Sequence, residues 1–475
     1  MSTVLPCSIV CACPSETNRE KGRMRHRLHE LLQQKLPSVR LPRLEFLGNF
    51  GGWNGFVLPD PGNPLCVVEL VFPVGWAAAP EDGVALLTAR LLLRGTRRRT
   101  ASQFHRELEG LGAELHVRVQ RQYTRLGAVC LHEVFPAVWE LLRECILEPA
   151  LEESEFERER QRQRAGLLQW LREPESLVHY GFWQCLAPGH PYAGLRWGRP
   201  EALQRLTVVE CRQWYERLRR TAPAYAFCAG GLPAEHFAAA VEELARAMPP
   251  QNSPPPEFPP VRAPQERVLG IVPKEEAAQS VLLIGQLLPG ALEPDFPALY
   301  LVGMVLGGHF LARLNRLLRE RFGMTYGIGS RVKLLPDQTL LQVEGALDTA
   351  RLRAGLEQIL QEFERLGQEP ISGEELARAL RVLHGALLRQ SATPISALGL
   401  LSGAVLARLP ADYYEQLLQR VQQLEPEELF EVQRRWMSTQ HLVVAVCGEP
   451  DAVAAQLEGL GRMCRIALPG AEELY

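Results

Sequence analysis

A proline-rich stretch near the middle of the chain sets the first constraint on its architecture. Residues 248–264 read MPPQNSPPPEFPPVRAP and hold eight prolines. Proline fixes φ and lacks an amide donor, so this run cannot continue a helix or a sheet interior and reads as an extended linker. It divides the 475 residues nearly in half, and that length suits two domains better than one. The expected organisation is an N-terminal extension at 1–40, whose order is left open, a first domain at 41–247, a linker at 248–266 and a second domain at 267–475.

The two halves look alike. AFCAGGLPAEHFAAAVEELARAM begins at Ala226 and VAVCGEPDAVAAQLEGLGRM at Val444. Each is an apolar strand ending in Cys-plus-Gly, then a proline turn and an amphipathic helix. Upstream, the segments from Ile146 and Leu366 each give a proline, an acidic helix start and a long helix with basic residues. Cys228 to Cys447 and Pro149 to Pro370 both give a period of about 220 residues, which argues for an internal duplication. Strands are expected at Cys66–Val74, Glu114–Gln120, Leu126–Leu131, Ser280–Gln286, Gly327–Leu334 and Thr339–Val343. Helices are expected at Val84–Arg94, Ala101–Leu111, Val138–Ile146, Glu153–Leu171, Pro297–Leu306, Phe310–Arg321, Thr349–Arg365 and Gly373–Arg389. Strand pairs flanked by helices, without strict βαβ alternation, read as two similar α+β domains.

Composition narrows the function classes. A hydrophobic fraction of 46% and a charged fraction of 23% are globular values. A formal net charge of −3 gives no case for nucleic acid or an anionic membrane as partner. The 11 cysteines are scattered, with no C-x-x-C pair, and read as buried reduced thiols in a cytoplasm-like compartment, with the periplasm as the alternative. Cys7, Cys11 and Cys13 lack the histidine spacing of a zinc site. The apolar stretch Val4–Cys13 is a weak signal-peptide candidate, and Met24 is an equally good start. His26 and His29 read as part of a solvated basic segment, His190 as a turn residue and His309 as capping or packing. The charge-dense helix from Glu152 reads as a solvated face with i,i+4 pairs.

LGGHFLARLNRLLRERFGMTYGIGS, Leu306–Ser330, and FPVGWAAAPEDGVALLTARLLLRGTRRRTASQFHRELEGLGAEL, Phe72–Leu115, carry a resemblance. Together with the order of elements from about Leu47 to Gly459, they resemble the insulinase, pitrilysin and mitochondrial processing peptidase family of inverted zincins. The resemblance implies two similar domains of the insulinase-like fold. It also implies an H-x-x-E-H zinc motif on the first helix, where two histidines at i and i+4 reach one metal and the glutamate activates its water.

That chemistry is missing. Anchored on Gly83 and on Arg94-Gly95-Thr96, the motif positions are Leu86, Leu87, Thr88, Ala89 and Arg90. Leu86 and Arg90 stand for the histidines and Ala89 for the base, and Arg90 sets a fixed positive charge where a cation would sit. The later glutamate ligand would fall near Arg164–Leu168, which reads RAGLL. No metal is therefore expected in this chain.

The family's arginine and tyrosine, seven residues apart, match Arg319 and Tyr326. The resemblance implies that they hold substrate backbone and steady a developing oxyanion, for which a guanidinium and a phenol are suitable donors. Arg319 is expected to close a helix that Gly323 terminates, with Tyr326 opening the next strand. The combined expectation is a non-catalytic, substrate-binding subunit of a heterodimeric zinc metallopeptidase. A homologous partner would supply the zinc, and substrates would be peptides in an enclosed chamber. The alternative is a metal-free scaffold of the same fold with no part in proteolysis.

Overall fold

The computed structural model describes residues 41–248 and 253–470. The 1–40 extension, with Cys7, Cys11, Cys13, His26 and His29, lies outside them, as do residues 249–252 of the linker and 471–475. The first half forms strands β1 (Glu45–Phe50), β2 (Trp53–Pro59), β3 (Leu65–Phe72), β4 (Glu114–Val119), β5 (Thr124–Leu131) and β6 (Ala224–Gly230). The second forms β7 (Val268–Pro273), β8 (Ser280–Pro289), β9 (Ile328–Leu334), β10 (Gln338–Leu347), β11 (Val443–Gly448) and β12 (Arg462–Arg465).

Each half builds one six-stranded sheet, in the orders β1-β2-β6-β3-β5-β4 and β12-β7-β11-β8-β10-β9. Five of the six positions, β2-β6-β3-β5-β4 and β7-β11-β8-β10-β9, follow the same chain path in both, so the duplication read from the sequence is also a duplication of topology. The central strands are runs of Val, Leu and Cys with both faces buried, as VVAVCG in β11 shows. The halves differ at one edge. β1 makes an antiparallel hairpin with β2, whereas β12 lies parallel to β7.

The halves interlock by exchanging helices. Helix Pro174–Leu186, from the first half, packs across β7, β8 and β11 of the second sheet. Helix Pro394–Leu406, from the second, packs on β3 and β6 of the first. Two glycines make the first contact possible. A Cβ on Gly181 would lie 2.2 Å from Val272 Cγ2, and one on Gly285 would lie 2.3 Å from the Phe182 ring. Only a hydrogen in place of a side chain lets helix and sheet approach so closely. One buried apolar cluster accordingly runs from Leu177 and Phe182 into Val272, Leu283 and Ala445.

One expected helix takes a different form. Residues 308–312 are bends and turns, and Asn315–Arg321 is a π-helix. Its wide turn is visible in the Phe322 amide, which donates to Leu317 O at 3.1 Å.

Candidate functional site

The helix that would carry the metal motif is Val84–Leu91. Its N-cap, Gly83, has φ +91°, and a Cβ there would lie 2.9 Å from both Gln163 Nε2 and Gly198 Cα. Helix Glu153–Trp170 lies alongside it. The buried Gln163 amide donates to Gly83 O at 3.0 Å and to Trp197 O at 2.8 Å, which ties helix start, neighbouring helix and loop together. Leu86, Leu87, Thr88 and Ala89 are buried, while Arg90 is half-buried with its guanidinium 5.2 Å from the Trp197 ring centroid.

The long helix is not simply the solvated face expected of its charges. It does carry exposed pairs, at i,i+3 rather than i,i+4, including Glu155–Arg158 and Glu157–Arg160. It also buries Glu159, 1% exposed, against the first helix. Arg94 meets this carboxylate at 2.6 Å and Arg162 meets it from its own helix. Further along, Gly166 sits within the stretch where the later ligand would fall. A Cβ there would lie 2.5 Å from the Trp197 ring. The indole therefore fills the space a carboxylate at Gly166 would need, and Arg90 caps its face. A leucine, an alanine and an arginine offer no donor set for zinc, so these residues do not fit the metal. Among the described residues, no group of three or more His, Cys, Asp or Glu is arranged to hold one.

In the second half, a part-buried ion pair braces the start of the π-helix. Arg313 donates to both Glu375 oxygens, at 2.7 and 2.9 Å, and to Glu362 at 3.1 Å. Burial alone would raise the Glu375 carboxyl, but Arg313 and Ser372 hold it down to about 2. Asn315, also buried, accepts from Ile328 N at 3.1 Å and donates to His309 O at 3.3 Å, joining the π-helix to the start of β9. Gly323, at φ +57°, ends the segment as its position predicted.

Arg319 and Tyr326 flank this corner, and among the described residues no hydrogen bond or ring contact joins them. The Arg319 guanidinium stacks 3.6 Å from the Phe310 ring centroid and pairs with Glu320 at 3.1 Å. Tyr326 lies two residues before β9 rather than opening it, and its side chain is 91% exposed. No described residue hydrogen-bonds its hydroxyl. Phe310, 67% exposed, was missed by sequence reading. Its signal was an aromatic residue nine positions before an arginine, which only the bend at 308–312 turns into a contact. His190 is structural, accepting from Tyr192 N at 3.0 Å and meeting Pro259 O at 2.8 Å.

Fold and site together define a two-domain chain of the insulinase-like peptidase class. The family model described as "Insulinase (Peptidase family M16)" matches residues 57–189, and that described as "Peptidase M16 inactive domain" matches residues 205–383. The chain belongs to the insulinase (M16) family. It is 23% identical over 406 residues to an uncharacterized zinc protease of Mycobacterium tuberculosis, covering 80% of this chain and 88% of that one. It is 25% identical over 175 residues to cytochrome b-c1 complex subunit 1 of Bos taurus, covering 36% of each. In fold it is similar to a peptidase M16 inactive domain from Pseudomonas fluorescens, with TM-score 0.77 and 20% identity over 86% of this chain and 98% of that one. A protease from Helicobacter pylori gives TM-score 0.77 at 17% identity, over 86% and 100%. Among the described residues no helix is long and apolar enough to cross a membrane.

Proposed function

We propose that this chain is the non-catalytic, substrate-binding subunit of a heterodimeric zinc metallopeptidase that cleaves peptides in an enclosed chamber. A homologous partner supplies the zinc and its activated water. This chain supplies Arg319 and Tyr326. The reading rests above all on Tyr326, a large side chain 91% exposed whose hydroxyl has no partner among the described residues, beside a corner held by buried and part-buried polar contacts. A packing tyrosine would be covered, whereas a donor awaiting a peptide carbonyl would not. Arg319 is held by a stack and one ion pair with its sequence neighbour, and leaving such a pair costs only about 0–1 kcal/mol.

Co-expression with a homologue carrying H-x-x-E-H, followed by a peptide-cleavage assay, tests this. Arg319→Ala and Tyr326→Phe should each lower turnover on the order of 100-fold, since each removes a donor to an oxygen that becomes negative in the transition state. Assembly and zinc content should be unchanged. Wild-type cleavage by both assembled variants would refute the substrate-holding role.

The second reading is a metal-free scaffold with no part in proteolysis. The similarity to cytochrome b-c1 complex subunit 1 over 36% of the chain favours it. A chain that forms no complex with an H-x-x-E-H homologue would support this reading over the first.

A further inference from the structure

We propose that Arg90, Arg121, Arg196 and Lys333 form one cationic wall between the two halves that binds peptide carboxylates. The inference deepens the substrate-binding role above by naming the chemistry of the peptide.

The placement is geometric. Arg90 and Arg196 share the Trp197 ring, at 5.2 and 5.3 Å from its centroid. Five residues earlier, Tyr192 O accepts from Arg121 Nε at 3.1 Å, so the loop of residues 191–197 joins the first pair to the third cation. Arg121 lies 4.2 Å from the ring centroid of Trp183, on the exchanged helix Pro174–Leu186. Lys333 flanks the same helix from the other half. On β9 the even-numbered residues pack inward, with Val332 against Gly303 and Ser330 hydrogen-bonded to Gly303 O. Strand alternation sends Arg331 and Lys333 to the opposite face. Across the strand pair on that face, Glu344 of β10 meets His179 of the exchanged helix at 3.3 Å.

The four cations lack anions. Among the described residues, none of them forms an ion pair. The nearby carboxylates are already committed: Glu159 to Arg94 and Arg162, Glu344 to Arg331 and His179, and Asp82 to Arg199 at 3.2 Å. Asp337, in the β9–β10 turn, pairs with none of the four. Yet all four keep some solvent exposure, Arg196 and Lys333 more than Arg90 and Arg121.

Partial exposure is combined here with close surrounding protein. The surrounding protein strips water from the Lys333 ammonium and pulls it down to about 8, with Arg331 and Arg121 pushing the same way. Arg121 is pulled down to about 10, mainly by the same desolvation and further by Arg196. Positive charges gathered at this density and held by aromatic faces gain most from a bound anion. The wall starts at Arg90, where the resemblance places a metal ligand, so a fixed positive charge stands where the family would hold a cation.

The test uses the full chain alone and fluorescent peptides of equal length. One is acidic with an amidated C-terminus, one neutral with a free C-terminus, and one neutral and amidated. Tighter binding of the first than the third assigns side-chain carboxylates as the ligand, and tighter binding of the second assigns the terminal carboxylate. Either affinity should weaken as salt rises. The Arg196→Gln/Lys333→Gln variant should lose about tenfold, as expected for two solvent-accessible ion pairs. Both side chains are exposed, so the fold should survive. Arg205→Gln, on the exposed end of helix Pro200–Arg205, should lose little. Equal affinity for all three peptides, or equal losses in the double and control variants, would overturn the proposal. Because the assay needs no cleavage, it can fail while the Arg319 and Tyr326 test succeeds, or the reverse.

Discussion

The Cys185 and Cys464 sulfurs lie 3.1 Å apart, joining the exchanged helix of the first half to β12 at the edge of the second sheet. The pair shares one hydrogen bond. It holds the Cys464 thiol below its ordinary range and pushes Cys185 up. Cys464, whose thiolate this bond favours and which is less buried than Cys185, is therefore the nucleophile of the two.

A small-molecule disulfide should convert this pair into a bridge between the halves. The Cys464 thiolate attacks the disulfide and expels one small thiolate. Cys185 then loses its proton and attacks the mixed disulfide, expelling the second. Two protein thiols are oxidised and the small disulfide is reduced to two thiols. Intact-mass analysis should show the loss of two hydrogens, and the denaturation midpoint should rise by an amount worth about 2–4 kcal/mol. Persistent mixed adducts without an internal bridge would contradict the geometry.

Acid should loosen the corner beside Tyr326. Glu375 titrates near 2 in the folded protein, below its ordinary 4.5. Its contribution is fully present above the ordinary value and is lost as pH falls through about 2. Allowing for its partial solvent exposure, that contribution is roughly 1–2 kcal/mol. Glu375→Gln should remove that part of the acid dependence, and unfolding midpoints measured between neutral pH and pH about 2 should converge for the two proteins.

Restoring the motif letters should not restore the metal. Leu86→His, Ala89→Glu and Arg90→His together supply two histidines and a base but no third protein ligand. Trp197 fills the space beside Gly166 that such a ligand would need. Elemental analysis of this triple variant should find no stoichiometric zinc. Tight, stoichiometric binding would show that the indole moves aside at little cost.

Gly181→Ala should weaken the joint between the halves. The added methyl would meet Val272 at 2.2 Å, and overpacking of this kind costs about 1–3 kcal/mol. Gly373→Ala, where nothing lies within 4 Å, serves as the control. It should be neutral or stabilise by roughly 0.4–1 kcal/mol, because alanine reduces the freedom of the unfolded chain. Equal midpoints for the two variants would count against the close helix–sheet approach.

Local chemistry and periodicity determined a large share of this protein from sequence alone. The prolines of 248–264, the period of about 220 residues and the apolar runs that read as strands are properties of neighbouring residues. So is the lack of ligands at Leu86, Ala89 and Arg90. The helix exchange was not legible, because Pro174–Leu186 and Pro394–Leu406 are apolar around much of their surface and nothing local says which sheet they cover. Helical spacing at 310–321 did not reveal the wide turn at Asn315–Arg321. The part-buried Arg313–Glu375 pair and the buried Asn315–Ile328 contact tie that turn to elements outside the segment. The cationic wall depended on tertiary structure most of all. Arg90, Arg121, Arg196 and Lys333 are spread over more than half the chain, and only the packing of helix Pro174–Leu186 between the halves brings their charges onto one surface.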